Sequence, residues 1–214
     1  MQYLGLDIGT TTVTAVVVDV ATGAVVTVQS AANDAEVTSV EDKQKGRSEW
    51  DAERMMHVAF GVIKNAVEVC GGVDGIGVTG QMHGMLVVGS DGVSVGSFVG
   101  WQDRRGMDVM GDEETYVGHM RRVSEGLGAF ARGCRPHPGY LGTTLFWLAQ
   151  HGHLLDGAMA SFVPDYAVAR LTGTRPVTDA TNAAGSGLFD VVDRVWQADL
   201  IDALGLSVDG VPEV

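Results

Sequence analysis

The chain has 214 residues, and its 14 basic and 27 acidic side chains leave a net charge of −13. This balance excludes recognition of nucleic acid or an anionic membrane through clustered Lys and Arg. At about 150 residues per domain the length predicts one domain, and 45% hydrophobic with 19% charged residues is the make-up of a packed chain, not a disordered one. Glycine is in excess, 30 residues against 5 prolines, with no three-residue period, which points to tight turns and close backbone approach. Cys70 and Cys134 have no metal-binding spacing and read as reduced thiols. The start, Met1 to Asp7, lacks the basic and apolar regions of a signal peptide. The apolar run from Val13 to Val28 is broken by Asp19, Thr22 and Gly23, so the expected setting is the cytoplasm, with no membrane span.

In chain order, Tyr3 to Ile8, Val13 to Val20 and Ala24 to Ser30 read as three strands of an antiparallel meander with tight turns. Residues 31–47 are polar and aperiodic, a loop. Ser48 with Asp51 resembles a capping box. Asp51 to Val69 places Met55, Val58, Ala59, Val62, Ile63, Ala66 and Val67 at helical intervals, an amphipathic helix. Asp74 to Gly80 is a strand reached through that helix and so expected parallel to the first. Met85 to Val88 and Val93 to Trp101 form a hairpin around Ser90-Asp91-Gly92. Helices are expected over 106–123, 140–151, 164–172 and 199–204, with a turn-rich strand zone at 175–190. The sum is an α/β domain with one mixed sheet, its N-terminal antiparallel meander flanked by helices.

Three segments carry chemistry. Asp7-Ile8-Gly9-Thr10-Thr11-Thr12 joins two strands; its backbone N–H groups and hydroxyls suit phosphate oxygens, and its carboxylate suits a water-held Mg²⁺. A plain β-turn with a solvated Asp is the other reading. Gly80-Gln81-Met82-His83-Gly84 sets an amide, a thioether and an imidazole at a strand end, where open α/β sheets bind ligands; alternatively Met82 is core and His83 structural. Trp101-Gln102-Asp103-Arg104-Arg105 offers an aromatic face with polar groups for a polyol, or else a surface ion pair beside a half-buried Trp.

Together with Gly139 to Trp147, Pro164-Asp165-Tyr166, Leu171-Thr172-Gly173 and Asp179 to Gly185, these segments resemble the N-terminal domain of the FGGY family of carbohydrate kinases. The resemblance covers residues 1–214 and implies an actin-like ATPase (ribonuclease H-like) fold. It implies ATP and Mg²⁺ as cofactors and a ketose as substrate. Asp7 would position Mg²⁺. Gly9, Thr10, Thr11 and Thr12 would contact the phosphates, and Gln81, Met82, His83, Trp101, Gln102, Asp103 and Arg104 the sugar. Gln102-Asp103 after Trp101, and Thr144 where many members carry lysine, resemble the sedoheptulokinase group before the xylulokinase group. The resemblance also implies a C-terminal kinase domain as partner and a general base beyond Val214. No catalytic base is therefore expected within these residues, and the isolated chain is expected to be inactive. A non-catalytic sugar-binding scaffold and an actin- or chaperone-like nucleotide module stay open as alternatives. Met55, Met56, Met107 and Met110 read as core, and an uncovered apolar face predicts weak self-association.

Overall fold

The computed structural model describes residues 1–111 and 113–214. The N-terminal meander is β1 (Gln2–Ile8), β2 (Thr12–Asp19) and β3 (Ala24–Ala32). The 31–47 stretch holds a short helix, α1 (Val40–Gln44), started by the Ser39 side chain accepting from the Asp42 N–H. Ser48 caps nothing: Glu49–Trp50 is extended as β4, and the cap of α2 (Ala52–Cys70) is Asp51, which accepts from the Arg54 N–H at 2.9 Å. β5 (Gly75–Gly80) follows and pairs parallel with β1, as the crossover requires. β6 (Met85–Val88) and β7 (Ser94–Val99) form the expected hairpin.

The helix expected from residue 106 begins ten residues late. Arg105–Met107 make one 3₁₀ turn, Val109 bridges to Thr115, and α3 (Tyr116–Gly126) starts where the Thr115 hydroxyl accepts from the Gly118 N–H. Asp112, within the expected span, lies outside the described residues. α4 (Leu141–Gln150) and α5 (Val163–Thr172) flank a strand the sequence did not reveal, β8 (Met159–Ser161). In the expected strand zone, Asp179 caps a helix instead, α6 (Ala180–Ala184), and the extended backbone is a single bridge from Val177 to Glu213 and the two residues of β9 (Phe189–Asp190). β10 (Val195–Trp196) and α7 (Ala198–Ala203) close the chain.

There are two four-stranded sheets, not one. The first has the order β3-β2-β1-β5 and the second β4-β7-β6-β8, with β9 and β10 as a separate ribbon. α2 packs Met55, Met56, Ala59 and Val62 on Leu4, Leu6, Val13, Ala15 and Val17, the inward residues of the alternating strands. β6 is buried on both faces. Leu86 and Val88 join that core, while Met85 and Val87 face a second one with Met120, Leu141, Leu145 and Phe146. A continuous apolar run of four residues is the signature of such a strand. Met107 is 42% exposed, contrary to its reading as core. No helix among the described residues is long and apolar enough to cross a membrane, and both cysteines are unbridged.

Candidate active site

Because β1 and β5 are parallel neighbours, their C-terminal ends open on the same edge of the first sheet. The chain leaves them through two turns that are tied together by the Gln81 N–H donating to the Ile8 carbonyl at 2.9 Å. A cleft of about 470 Å³ opens there, lined by Asp7, Gly9, Thr10, Gly80, Gln81, Met82, His83 and Trp101. The position is the one where open α/β sheets bind ligands.

The first wall is the turn after Asp7. The Gly9 N–H donates to the Thr12 carbonyl at 3.0 Å, and the Gly9 carbonyl accepts from Asn33 Nδ2 at 2.8 Å. The Asn33 N–H in turn donates to the Thr11 carbonyl. Asn33, just past β3, thus braces a turn to which the sequence reading gave it no link. The Gly9 N–H is thus committed within the turn, whereas the N–H groups of Thr10 and Thr11 have no partner among the described residues. Thr12 heads β2 and lies outside the cleft. The Asp7 carboxylate is exposed and unpaired among the described residues.

The second wall is the turn after β5. His83 sits at φ 70°, a left-handed backbone that a non-glycine residue adopts only when its surroundings hold it there. Its ring stacks on Tyr140 at 4.1 Å and 13°. His83 Nδ1 lies 3.1 Å from the Gly185 carbonyl oxygen, which can only accept, so Nδ1 carries the proton and Nε2 is the nitrogen left over. A Cβ on Gly185 would stand 2.7 Å from His83 Nδ1, so only glycine permits this approach. Behind the stack, the His137 imidazole is held below its ordinary pKa by burial, then by Arg121, His83 and Arg104. Gln81 is only 8% exposed, and neither Oε1 nor Nε2 has a hydrogen-bond partner. An orphaned amide asks for a donor and an acceptor together, which a hydroxyl group supplies. Met82 and Trp101 add exposed apolar surface, 44% and 42% accessible.

The segment after Trp101 departs from expectation. Asp103 is 1% exposed and committed to the fold: Oδ2 accepts from the Ser48 N–H at 2.8 Å, and Oδ1 accepts from the Arg105 N–H at 2.7 Å and from Arg105 Nε at 2.9 Å. Burial works against the Arg105 charge, but Asp103 first and Glu49 second outweigh it and raise its pKa. Gln102 and Arg104 are exposed and outside the lining, the Arg104 N–H donating to Gly46. The structure therefore brings together Asp7, Gly9, Thr10, Gln81, Met82, His83 and Trp101, and leaves Thr11, Thr12, Gln102, Asp103 and Arg104 outside the lining. Tyr140 and Gly185 are additions. Their only trace in the sequence was membership of two motifs distant along the chain.

Among the described residues, no three His, Cys, Asp or Glu side chains converge as a metal-holding group. Asp7 alone could hold a cation, one that keeps most of its water shell.

A cleft at parallel strand ends, built on a meander and one crossover helix, defines an α/β domain, and its superposition on solved carbohydrate kinases shows the actin-like ATPase fold. The model of the "FGGY family of carbohydrate kinases, N-terminal domain" matches residues 2–214, and the chain belongs to that family. Among curated relatives, the glycerol kinase of Cereibacter sphaeroides is 31% identical over 159 residues, covering 69% of this chain and 30% of the relative. The sedoheptulokinase of Mus musculus is 29% identical over 236 aligned positions, 99% of this chain and 46% of the relative. The xylulose kinase of Rhodospirillum rubrum superposes with a TM-score of 0.82 at 25% identity, covering 99% of this chain and 42% of that one. The chain thus spans less than half the length of these relatives.

Proposed function

We propose that residues 1–214 form one domain, the sugar-binding half of a cytoplasmic carbohydrate kinase that transfers the γ-phosphate of ATP to a ketose hydroxyl. The observation that carries this reading is the buried Gln81 amide, unpartnered on both atoms, in a cleft shared with Asp7. A polyol answers it with hydroxyl groups, while Trp101 and Met82 meet the C–H faces of the sugar. His83, fixed by Tyr140 and Gly185, offers Nε2 to a further hydroxyl. A sedoheptulose-like sugar is favoured over xylulose by Gln102-Asp103 after Trp101 and by Thr144 where many family members carry lysine, the positions at which the chain resembles the sedoheptulokinase group.

The donor set fits Mg²⁺ and nucleotide phosphate. One unpaired carboxylate, Asp7, lies beside the unpartnered N–H groups of Thr10 and Thr11. When bound, the ion supplies charge neutralisation to the phosphates, and the chain's own residues do the positioning. Thr10, which lines the cleft, holds a phosphate oxygen through its backbone N–H group. Gln81 and His83 orient the acceptor hydroxyl, and the Trp101 face keeps water off it. The general base and adenosine pocket fall to a C-terminal kinase domain, the partner this reading requires, and closure of the two halves excludes water.

Thermal shift of this chain with sedoheptulose, xylulose and glycerol tests the sugar half of the reading. Stabilisation by one of them is expected, growing with concentration as RT ln(1 + [L]/Kd), and a flat response to all three counts against it. A coupled ADP-release assay on the chain joined to a nucleotide-binding C-terminal domain tests the kinase half, and no turnover on any of the three sinks it.

A further inference from the structure

The first turn of α5 buries an acid that the cleft chemistry does not use. Asp165 is 7% exposed, its Oδ2 has no hydrogen-bond partner, and no cation among the described residues pairs with it. The groups that face it come from the segment around α6. They are Thr178, whose Oγ1 is also unpartnered, Asn182, and the Asp179 carboxylate. The two unpartnered oxygens do not come into hydrogen-bond geometry. An ionised carboxylate here would be dehydrated and set against a second negative charge. Burial first, and the Asp179 charge with it, lift Asp165 to about 7 against the pull of Thr178 and Asn182.

The segment above it is an arch with one foot in the cleft. Asp179 Oδ1 accepts from the Thr181 N–H at 2.7 Å, and its Oδ2 accepts from the Asn182 amide at 2.9 Å, which starts α6. Six residues after Asp179 the arch ends at Gly185, whose carbonyl meets His83 Nδ1. Such a short helix has little internal stability, so its place depends on what it rests on.

We propose that Asp165 is a positioning residue: in its neutral form it seats the Asp179–Gly185 arch and so fixes the His83 imidazole in the cleft. Ionisation draws water to the carboxyl and repels Asp179, and the arch shifts its Gly185 carbonyl relative to His83. The relevance to sugar binding rests on the reading above; the coupling between Asp165 and Gly185 does not.

The test is an NMR titration of the sugar-free chain from about pH 5 to about pH 9, following Asp165 ¹³Cγ and the Gly185 amide. Both are expected to step near pH 7. The Gly185 step is expected to vanish in Asp165→Asn, which mimics the neutral acid, and to persist in His83→Gln, which removes the imidazole. An Asp165 carboxyl that titrates at about 4, as a solvated one does, overturns the proposal. So does a Gly185 step that survives Asp165→Asn or disappears in His83→Gln. The ¹³Cγ measurement needs only the wild-type chain, so a variant that fails to fold leaves the test standing. With no sugar present, its outcome is independent of the thermal-shift experiment.

Discussion

Gln81 and Asp103 are both buried polar side chains from segments that read alike in the sequence, and their partners separate them. Asp103 has hydrogen bonds on both oxygens and neutralises the buried Arg105. Replacing Asp103 by Ala leaves that guanidinium short of charge, at a cost of about 3–5 kcal/mol. For a chain of this size a melting temperature lower by about 10 °C is expected, with sugar affinity of the folded fraction kept; calorimetry and a binding titration would show the two apart. Gln81→Leu should do the reverse, holding stability within about 1 kcal/mol or raising it while weakening the sugar about 10-fold or more. Isothermal titration with the stabilising sugar checks this. Asp165 sets a pH dependence whose sign follows from its raised folded pKa, about 7 against an ordinary 3.8. The folded chain keeps a proton that the unfolded chain has already lost, so this contribution is whole below about pH 4 and lost as pH rises through about 7. It amounts to order 4 kcal/mol. Asp165→Asn should flatten the fall, as denaturant melts at pH 5 and pH 8 would read out.

At the scale of elements, legibility tracked how local the determining forces are. α2 was plain because eight of its buried residues fall at helical spacing, from Ala52 to Ala66. β1, β2 and β5 were plain because each alternates or punctuates clearly. The cap of α2 was misplaced by three residues, since Ser48 is drawn into extended backbone by its N–H bond to Asp103 and its carbonyl bond to Gly100. Asp51→Ala should therefore lower stability by about 1 kcal/mol and Ser48→Ala should leave α2 capped; circular dichroism during denaturation decides between the two sites. α6 and β8 escaped notice because each is five residues or fewer and owes its form to neighbours. β8 exists by pairing with β6, 71 or more residues earlier in the chain.

At the scale of the molecule, β3 is a free edge of the first sheet. It runs nine residues, from Ala24 to Ala32, with no charge, proline or glycine, and Val25 and Val28 are more than half exposed. Natural sheets usually protect such an edge with charge as well as bulges, and β3 carries only one irregularity, at Val26, where Val17 and Val18 of β2 pair with Thr27 and Val25. Weak antiparallel pairing between two copies is the expected outcome, strengthened by salt that screens the net charge of −13. Val28→Lys should shift the sedimentation coefficient at high concentration back to the monomer value.

Periodicity and turn signals sufficed for an α/β fold with a meander and a parallel crossover, because those features depend on residues near one another in sequence. The motifs sufficed for the family, which the match over residues 2–214 shows. The division into two sheets was decided in three dimensions, as was the pairing of buried Asp103 with Ser48 and Arg105. So was the placing of Tyr140 and Gly185 around His83, residues 57 and 102 positions away. Whether a polar side chain serves the fold or a ligand depends on which partners reach it. Those partners come from distant segments that meet only when the chain has folded.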